Sequence, residues 1–219
     1  MQILWKGQSC FYVTCAPVKQ DQARVLMDPF DESVGLKMSP VEADIVTVSH
    51  GHADHSNVKA AKGAPFVINT PGEYEVKGVF IQGIPSYHDD AKGKERGANT
   101  IFTVTVEGIT LCHLGDLGQK ELAADQLEKI GSVDILMIPV GGVYTITGEE
   151  AAKIIGQIEP KIVIPMHYAL PGLTPKLNSV DEFLRTMGKK GLEAQPKLVV
   201  KEKDIAAERD EVEIAVLQA

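Results

Sequence analysis

Three of the chain's six histidines fall within six residues, in His50-Gly-His52-Ala-Asp54-His55. Imidazole nitrogen and carboxylate oxygen suit zinc at about 2.0–2.2 Å, and a catalytic zinc keeps one position open for water. Four such donors on so short a segment crowd a single ion. They suit two adjacent ions about 3.5–4 Å apart, as two-metal hydrolases hold them. Gly51 and Ala53 keep the interleaved positions small. The segment follows the β-rich run Ile45-Val-Thr-Val-Ser49, where a tight loop can turn several side chains toward one point. Two ions need further ligands. His88, Asp116 and His167 each stand just past an apolar, strand-like run. Strand ends gathered at one sheet edge are where ligands converge.

The elements that must position these donors change character along the chain. The first half reads as strands over Gln8–Thr14, Arg24–Met27, Ile45–Ser49, Phe66–Asn69, Val79–Ile84, Thr100–Val106 and Ile109–His113. A short helix is expected over Asn57–Lys62, closed by Gly63. The second half alternates helix and strand. Leu122, Leu127 and Ile130 space a helix over Lys120–Ile130, and Thr147 with Glu150 forms a capping-box signature for a helix reaching Ile158. Ile135–Ile138 and Lys161–Met166 read as buried strands, Val180–Lys189 as a helix, and Leu198–Val200 and Val212–Leu217 as closing strands. Strands first and αβ units second predict an α/β sandwich: two mixed sheets face to face with helices on both outer faces.

Composition narrows the function. The 219 residues are 44% hydrophobic and 24% charged, within reach of one globular domain covering 1–219. The net charge is -8, which argues against a duplex-DNA partner. No apolar run approaches a membrane span, and no signal-peptide pattern opens the chain, so a cytoplasmic protein is expected. Cys10, Cys15 and Cys112 are too few for a disulfide framework. Cys10 and Cys15 differ by an odd number, so one regular strand would point them to opposite faces.

The set Asp28, His50-x-His52-x-Asp54-His55, His88, Gly115-Asp116 and His167 resembles the motifs of the metallo-β-lactamase superfamily over roughly Leu4 to Tyr168. Pro71-Gly-Glu-Tyr74, His113-Leu-Gly-Asp-Leu-Gly118, Pro139-Val-Gly-Gly142 and Pro165-Met-His-Tyr168 make it similar to the small hydrolases related to L-ascorbate-6-phosphate lactonase. The resemblance implies an αββα sandwich with metals at one edge. It implies that His50, His52 and His88 hold one ion, that Asp54, His55 and His167 hold the other, and that Asp116 bridges them. Asp28 would orient the histidine loop without binding metal. The His88 segment departs from the longer histidine motif of lactamases and glyoxalases, so Asp89 or Asp90 is the alternative donor there.

The expected function is metal-dependent hydrolysis by a metal-bridging hydroxide on a small ester, lactone or phosphoester. Two divalent ions are expected, zinc first, with manganese or iron as alternatives. Asp54 would accept the water proton and Tyr168 would donate to the developing oxyanion. His113 is expected to support the site without ligating. Glu73, Tyr74, Asn99, Tyr144 and Thr145 are further pocket candidates. Lys92, Lys94 and Arg96 lie close to His88 and could hold an anionic or phosphorylated small molecule. Neither duplex DNA nor a membrane is expected as partner. The rival readings are an iron-dependent redox enzyme of the same fold and a non-catalytic protein that binds a metabolite or another protein.

Overall fold

The computed structural model describes residues 1–17, 21–206 and 211–219. Its chain opens as a hairpin, β1 (Gln2–Gly7) and β2 (Cys10–Cys15), turning through Gln8 and Ser9. Alternate β2 side chains take opposite faces. Phe11, Val13 and Cys15 enter the main core, while Cys10 and Tyr12 join a smaller cluster on the other side. The two cysteines are thus separated by the sheet, and all three are free.

β3 (Ala23–Met27) pairs with β2. β4 (Val41–Glu42), β5 (Ile45–Thr47), β6 (Ala61–Lys62) and β7 (Phe66–Ile68) follow. β8 (Gly72–Val76), β9 (Val79–Tyr87), β10 (Ala98–Val106) and β11 (Ile109–His113) form an antiparallel run. Then come α1 (Ala124–Ile130), β12 (Ile135–Pro139), α2 (Gly148–Ile158), β13 (Ile162–Met166) and α3 (Val180–Thr186). β14 (Leu198–Val199), α4 (Glu202–Ala206) and β15 (Glu213–Ile214) close the described chain.

Two mixed sheets result, with orders β14-β1-β2-β3-β5-β7 and β15-β13-β12-β11-β10-β9-β8. They share one apolar core that includes Trp5, Phe11, Met27, Ile45, Phe102, Leu111, Leu136 and Ile164. This is the α/β sandwich, with helices outside. α2 buries Ala151, Ile154, Ile155 and Ile158, the stripe of an amphipathic helix. Its N-terminus carries the anticipated capping box: Glu150 N donates to Thr147 Oγ1 at 3.2 Å, and Thr147 N to Glu150 Oε2 at 2.8 Å. The outer side of the first sheet is covered by residues 28–43, where Phe30 and Val34 pack on Leu26 and Val46. No described helix is long and apolar enough to cross a membrane.

One expected helix is replaced, and four strands, β1, β4, β6 and β8, lie outside the expected strands. Residues 57–62 form one 3-10 turn, Val58–Ala60, after which Ala61–Lys62 pairs with Val41–Glu42. Asn57 Nδ2 donates to Phe30 O at 2.9 Å, so tertiary bonds hold this segment where a helix would otherwise run. β8 (Gly72-Glu-Tyr-Glu-Val76) is an edge strand whose alternation is short: Glu73 and Glu75 are exposed, and only Tyr74 and Val76 reach the core, both half-buried.

Strand direction decides where the loops meet. β1, β3 and β5 run parallel to one another, as do β9, β11, β12 and β13. The C-terminal ends of β1, β3 and β5 therefore share one edge of their sheet, and those of β9, β11 and β13 share one edge of theirs. Backbone bonds join the two edges, Thr100 N to Ser49 O at 2.9 Å and His167 N to Gln8 O at 3.0 Å.

Asp44, at the entrance to β5, accepts from Arg24 N, Nε and Nη2 at 2.9, 3.0 and 3.2 Å and from Lys77 Nζ at 2.7 Å. The Arg24 guanidinium, against partial burial and with help from Lys77, holds this carboxyl at about 2. A depressed carboxyl contributes stability above its unfolded pKa, near 4, that is lost as pH falls through the folded value. Asp44→Asn should therefore be less stable than wild type at neutral pH, and the gap should close between about pH 4 and pH 2. Urea melts of both proteins across that range check it.

Candidate metal centre

Asp28 follows β3 and is completely buried, with its backbone in the left-handed region at φ 43°. Its Oδ1 accepts from Ser49 N at 2.7 Å, and its Oδ2 accepts from the Ser49 hydroxyl and lies 2.8 Å from His55 Nδ1. Burial would raise its carboxyl, but His55 and the nearby His113 and His50 bring it below the ordinary range. Because the Ser49 proton goes to Asp28, the 3.0 Å contact between Ser49 Oγ and His50 Nδ1 must use the imidazole proton. One carboxylate thus sets two tautomers. His50 and His55 both carry hydrogen on Nδ1 and present an Nε2 lone pair.

Those lone pairs face the other donors. His50 Nε2 lies 3.0 Å from His52 Nδ1, and one nitrogen of each of His50, His52 and His88 falls within 4.8 Å of the others. A second group of the same compactness holds Asp54, His55, Asp116 and His167. Asp116 joins the two. Its Oδ2 lies 3.1 Å from His55 Nε2, 3.3 Å from His88 Nε2 and 3.4 Å from His167 Nε2. The approach to His55 is close, yet His55 Nε2 has no aligned hydrogen bond, and the Nδ1 atoms of His88 and His167 are also buried without partners. Buried polar atoms are nearly always satisfied. Of these three nitrogens, His55 Nε2 is the one that stands beside Asp116 Oδ2, and a buried nitrogen next to a carboxylate without a hydrogen bond fits a coordination shell.

The electrostatics agree. Asp28, Asp54 and Asp116 converge here, and burial combined with neighbouring imidazoles keeps the His50 pKa down at about 3 and lowers that of His88. Burial also favours neutral His55, but Asp116, Asp28 and Asp54 drive its pKa well above the ordinary histidine value. The centre calls for positive charge where His55 Nε2 points. A cation on these donors supplies it, and the residues fit a metal.

Surrounding residues hold Asp116 in place. Asp116 N donates to Asn99 Oδ1 at 3.0 Å, and Asn99 Nδ2 donates to Ser86 Oγ and Leu114 O at 2.7 and 2.9 Å. Ser9 Oγ donates to Asp116 Oδ1 at 3.3 Å. Gly115 has φ 57°, and a Cβ there would stand 2.4 Å from Asn99 Oδ1 and 2.6 Å from Ser49 Cβ. A Cβ on Gly118 would meet the His88 carbonyl at 2.4 Å. His113 is buried with Nε2 2.8 Å from Ser9 O and Nδ1 accepting from Gly115 N at 3.1 Å. It braces the loop and belongs to neither donor group.

The neighbours of His88 have other work. Asp89 accepts from the backbone N–H groups of Ala91, Gly93, Glu95 and Arg96 at 2.8–3.0 Å. Desolvation would raise its carboxyl, but those four donors hold it at about 2. Asp90 pairs with Lys120 at 3.1 Å. Neither aspartate joins a donor group, so His88 alone presents a ligand from this segment.

Tyr168 departs from expectation. It is 5% exposed and packs against Trp5 with ring centroids 4.9 Å apart. Burial raises its pKa, and it does not line the cavity over the donors. His167 has φ 52°, and after that left-handed turn the Tyr168 ring packs with the core. The oxyanion role is therefore withdrawn. Glu73, Tyr74 and Thr145 do not line the cavity either, and Asn99 is committed to Asp116. Tyr144 does line it, as do Gln8, Arg96 and Lys176.

Gln8, expected to begin a strand over Gln8–Thr14, stands in the turn before β2. It is fully buried at φ 51°, donates Nε2 to Asp54 Oδ2 at 3.1 Å, and leaves Oε1 buried with no partner. Gln8, Asp28 and His167 are thus all left-handed non-glycine residues at the centre. Such conformations cost about 1–3 kcal/mol each and persist where surrounding structure over-determines them.

The cavity above the donors has a volume of about 490 Å³, with His52, Asp54, His88, Asp116 and His167 at its base. A larger cavity of about 650 Å³ near Asp89 and Gln126 reaches none of them.

The family described as beta-lactamase superfamily domain matches residues 2–167. The UPF0173 metal-dependent hydrolase of Thermococcus kodakarensis is 29% identical over 217 residues, covering 87% of this chain and 93% of the relative. Its counterpart in Thermococcus onnurineus is 30% identical over 194 residues, covering 76% and 86%. A solved metallo-beta-lactamase superfamily protein from Thermotoga maritima is 34% identical, covers both chains fully, and superposes with a TM-score of 0.76.

Proposed function

The chain belongs to the beta-lactamase superfamily, within its UPF0173 metal-dependent hydrolases, and on that premise we propose that it hydrolyses a small ester, lactone or phosphoester with two bound divalent ions. The observation that carries this reading is Asp116 Oδ2, within 3.1–3.4 Å of ring nitrogens from both donor groups. His50, His52 and His88 would hold one ion. Asp54, His55 and His167 would hold the other, with Asp116 shared. Zinc is the first choice for this His/Asp set, and manganese or iron fit the same donors. When bound, such a pair polarises the substrate and lowers the pKa of a water toward neutrality.

The protein's own groups do the rest. Asp28 accepts from His55 Nδ1 and, through Ser49, orients His50, so that both rings turn Nε2 toward the ions. Asp54 is the carboxylate that water can reach: its side chain is 26% exposed, against 3% for Asp116 and 0% for Asp28. It is therefore the acceptor for the proton of the attacking water. Gln8 Nε2 holds Asp54 Oδ2, which leaves Oδ1 for that proton.

Elemental analysis of the protein purified without added metal, paired with a panel of chromogenic esters, lactones and phosphoesters, tests the reading. About two zinc or manganese ions per chain are expected, with turnover lost to a chelator and restored by either metal. Iron with visible absorbance and no hydrolysis, or no metal uptake on reconstitution, would overturn it.

A further inference from the structure

Arg96 and Lys176 bring two cations to the mouth of a centre otherwise built of carboxylates and imidazoles, in a chain of net charge -8. Both are exposed, and among the described residues neither takes part in an ion pair. Arg96 is nevertheless held. Its backbone N–H is one of the four that Asp89 gathers, and its guanidinium carbon lies 4.9 Å from the centre of the Tyr144 ring. A guanidinium stacked on an aromatic face keeps its in-plane N–H donors free for a carboxylate or phosphate. Lys176 comes from the loop after β13, anchored where Thr174 N donates to Val34 O at 2.7 Å. An independent sign of a ligand lies deeper. Gln8 Oε1, buried and without a partner, belongs to a residue lining the same cavity, and it can accept a hydrogen bond from a hydroxyl or N–H.

We propose that Arg96, propped on Tyr144, and Lys176 form an anion subsite that selects substrates carrying a carboxylate or phosphate group beside the hydrolysed bond, with Gln8 Oε1 accepting from a substrate hydroxyl or N–H. This rests on the hydrolase reading above and names its substrate class. The cations sit at the rim, above the donors, so they bind the substrate before and during reaction alike. Their removal should act chiefly on KM.

Two activated esters of matched length test it on the metal-loaded protein, after subtraction of uncatalysed hydrolysis: 4-nitrophenyl 4-methylpentanoate, and the 4-nitrophenyl monoester of succinate, which carries a carboxylate where the first has an isopropyl group. Wild type should favour the anionic ester about five- to tenfold in kcat/KM, the modest figure for charged bonds at a solvated rim. Arg96→Ala should lower that ratio to about two through KM, Arg96→Lys should keep more of it, and Arg96→Ala with Lys176→Ala should bring it to one. Of the expected trio Lys92, Lys94 and Arg96, only Arg96 lines the cavity, so Lys94→Ala removes a charge from outside it and should leave the ratio intact. A ratio unchanged in Arg96→Ala, or lost equally in Lys94→Ala, would overturn the subsite. Calorimetric titration with succinate and with inorganic phosphate separates this from the parent reading. Anion binding weakened about tenfold by Arg96→Ala in a protein that cleaves no ester, lactone or phosphoester of the panel would uphold the subsite and defeat the hydrolase. The tighter of the two anions tells carboxylate from phosphate.

Discussion

Replacing Asp116 with alanine should strip the centre of metal and lower hydrolysis by about a thousandfold or more. The size of the effect follows from its position. One oxygen of Asp116 faces His55, His88 and His167, drawn from three different loops. Its loss leaves three buried imidazoles around a void and removes the carboxylate that reaches from its own donor group to His88 of the other. The rest of the loop keeps its anchors, since Asp116 N bonds Asn99 through the backbone and Gly115 N bonds His113. The variant should therefore fold. Asp116→Asn sharpens the test, because it keeps the shape and discards the charge. Metal content by elemental analysis and turnover should fall together in both variants. Wild-type activity in a metal-free Asp116→Ala protein would defeat the proposed chemistry.

Asp28→Ala should damage both the fold and the site. It removes a fully buried acceptor on which Ser49 N, the Ser49 hydroxyl and His55 Nδ1 converge. Breaking a buried charged network by deleting one partner costs about 3–5 kcal/mol. Loss of the group that orients metal-binding histidines costs about 10–100-fold in metal affinity. The two effects can be separated. In Asp28→Asn the amide oxygen still accepts from Ser49, but the amide hydrogens oppose His55 Nδ1–H and favour the wrong tautomer. Stability should recover in part while metal affinity stays low. Denaturant melts in the presence of chelator read the first, and competition with a metal indicator reads the second. Wild-type metal affinity in Asp28→Asn would show that the tautomer argument fails.

Much of the centre was written locally. His50, His52, Asp54 and His55 sit in one loop after one strand, so their spacing alone brings them together. His88, Asp116 and His167 each follow an apolar run, and a parallel arrangement of such runs delivers their ends to a common edge. The two-faced placement of Cys10 and Cys15 and the capping box at Thr147 were legible for the same reason. Strand and helix periods act over a few residues, and side-chain type reports them. The edge strand β8 and the turn at residues 57–62 were not legible. The first turns only two half-buried residues, Tyr74 and Val76, toward the core, and the second is held by Phe30 and by β4.

The finer roles depended on which way the chain turns in three dimensions. Tyr168 adjoins a donor in sequence, yet the left-handed backbone at His167 leaves its ring beside Trp5 in the core. Asp89 adjoins His88, yet four backbone N–H groups claim its carboxylate and make it the clasp of a loop. Gln8 carries no motif at all; its importance arises because β1 ends at the edge where Asp54 arrives. Lys176 lies far along the chain from Arg96, and only the packing of the loop after β13 brings both to one cavity. Sequence by itself determined the donors and the sheet edge that gathers them, because both follow from short-range pattern. Tertiary structure decided which neighbours brace, which bind and which turn away, because a side chain's direction is set by contacts with residues distant in sequence.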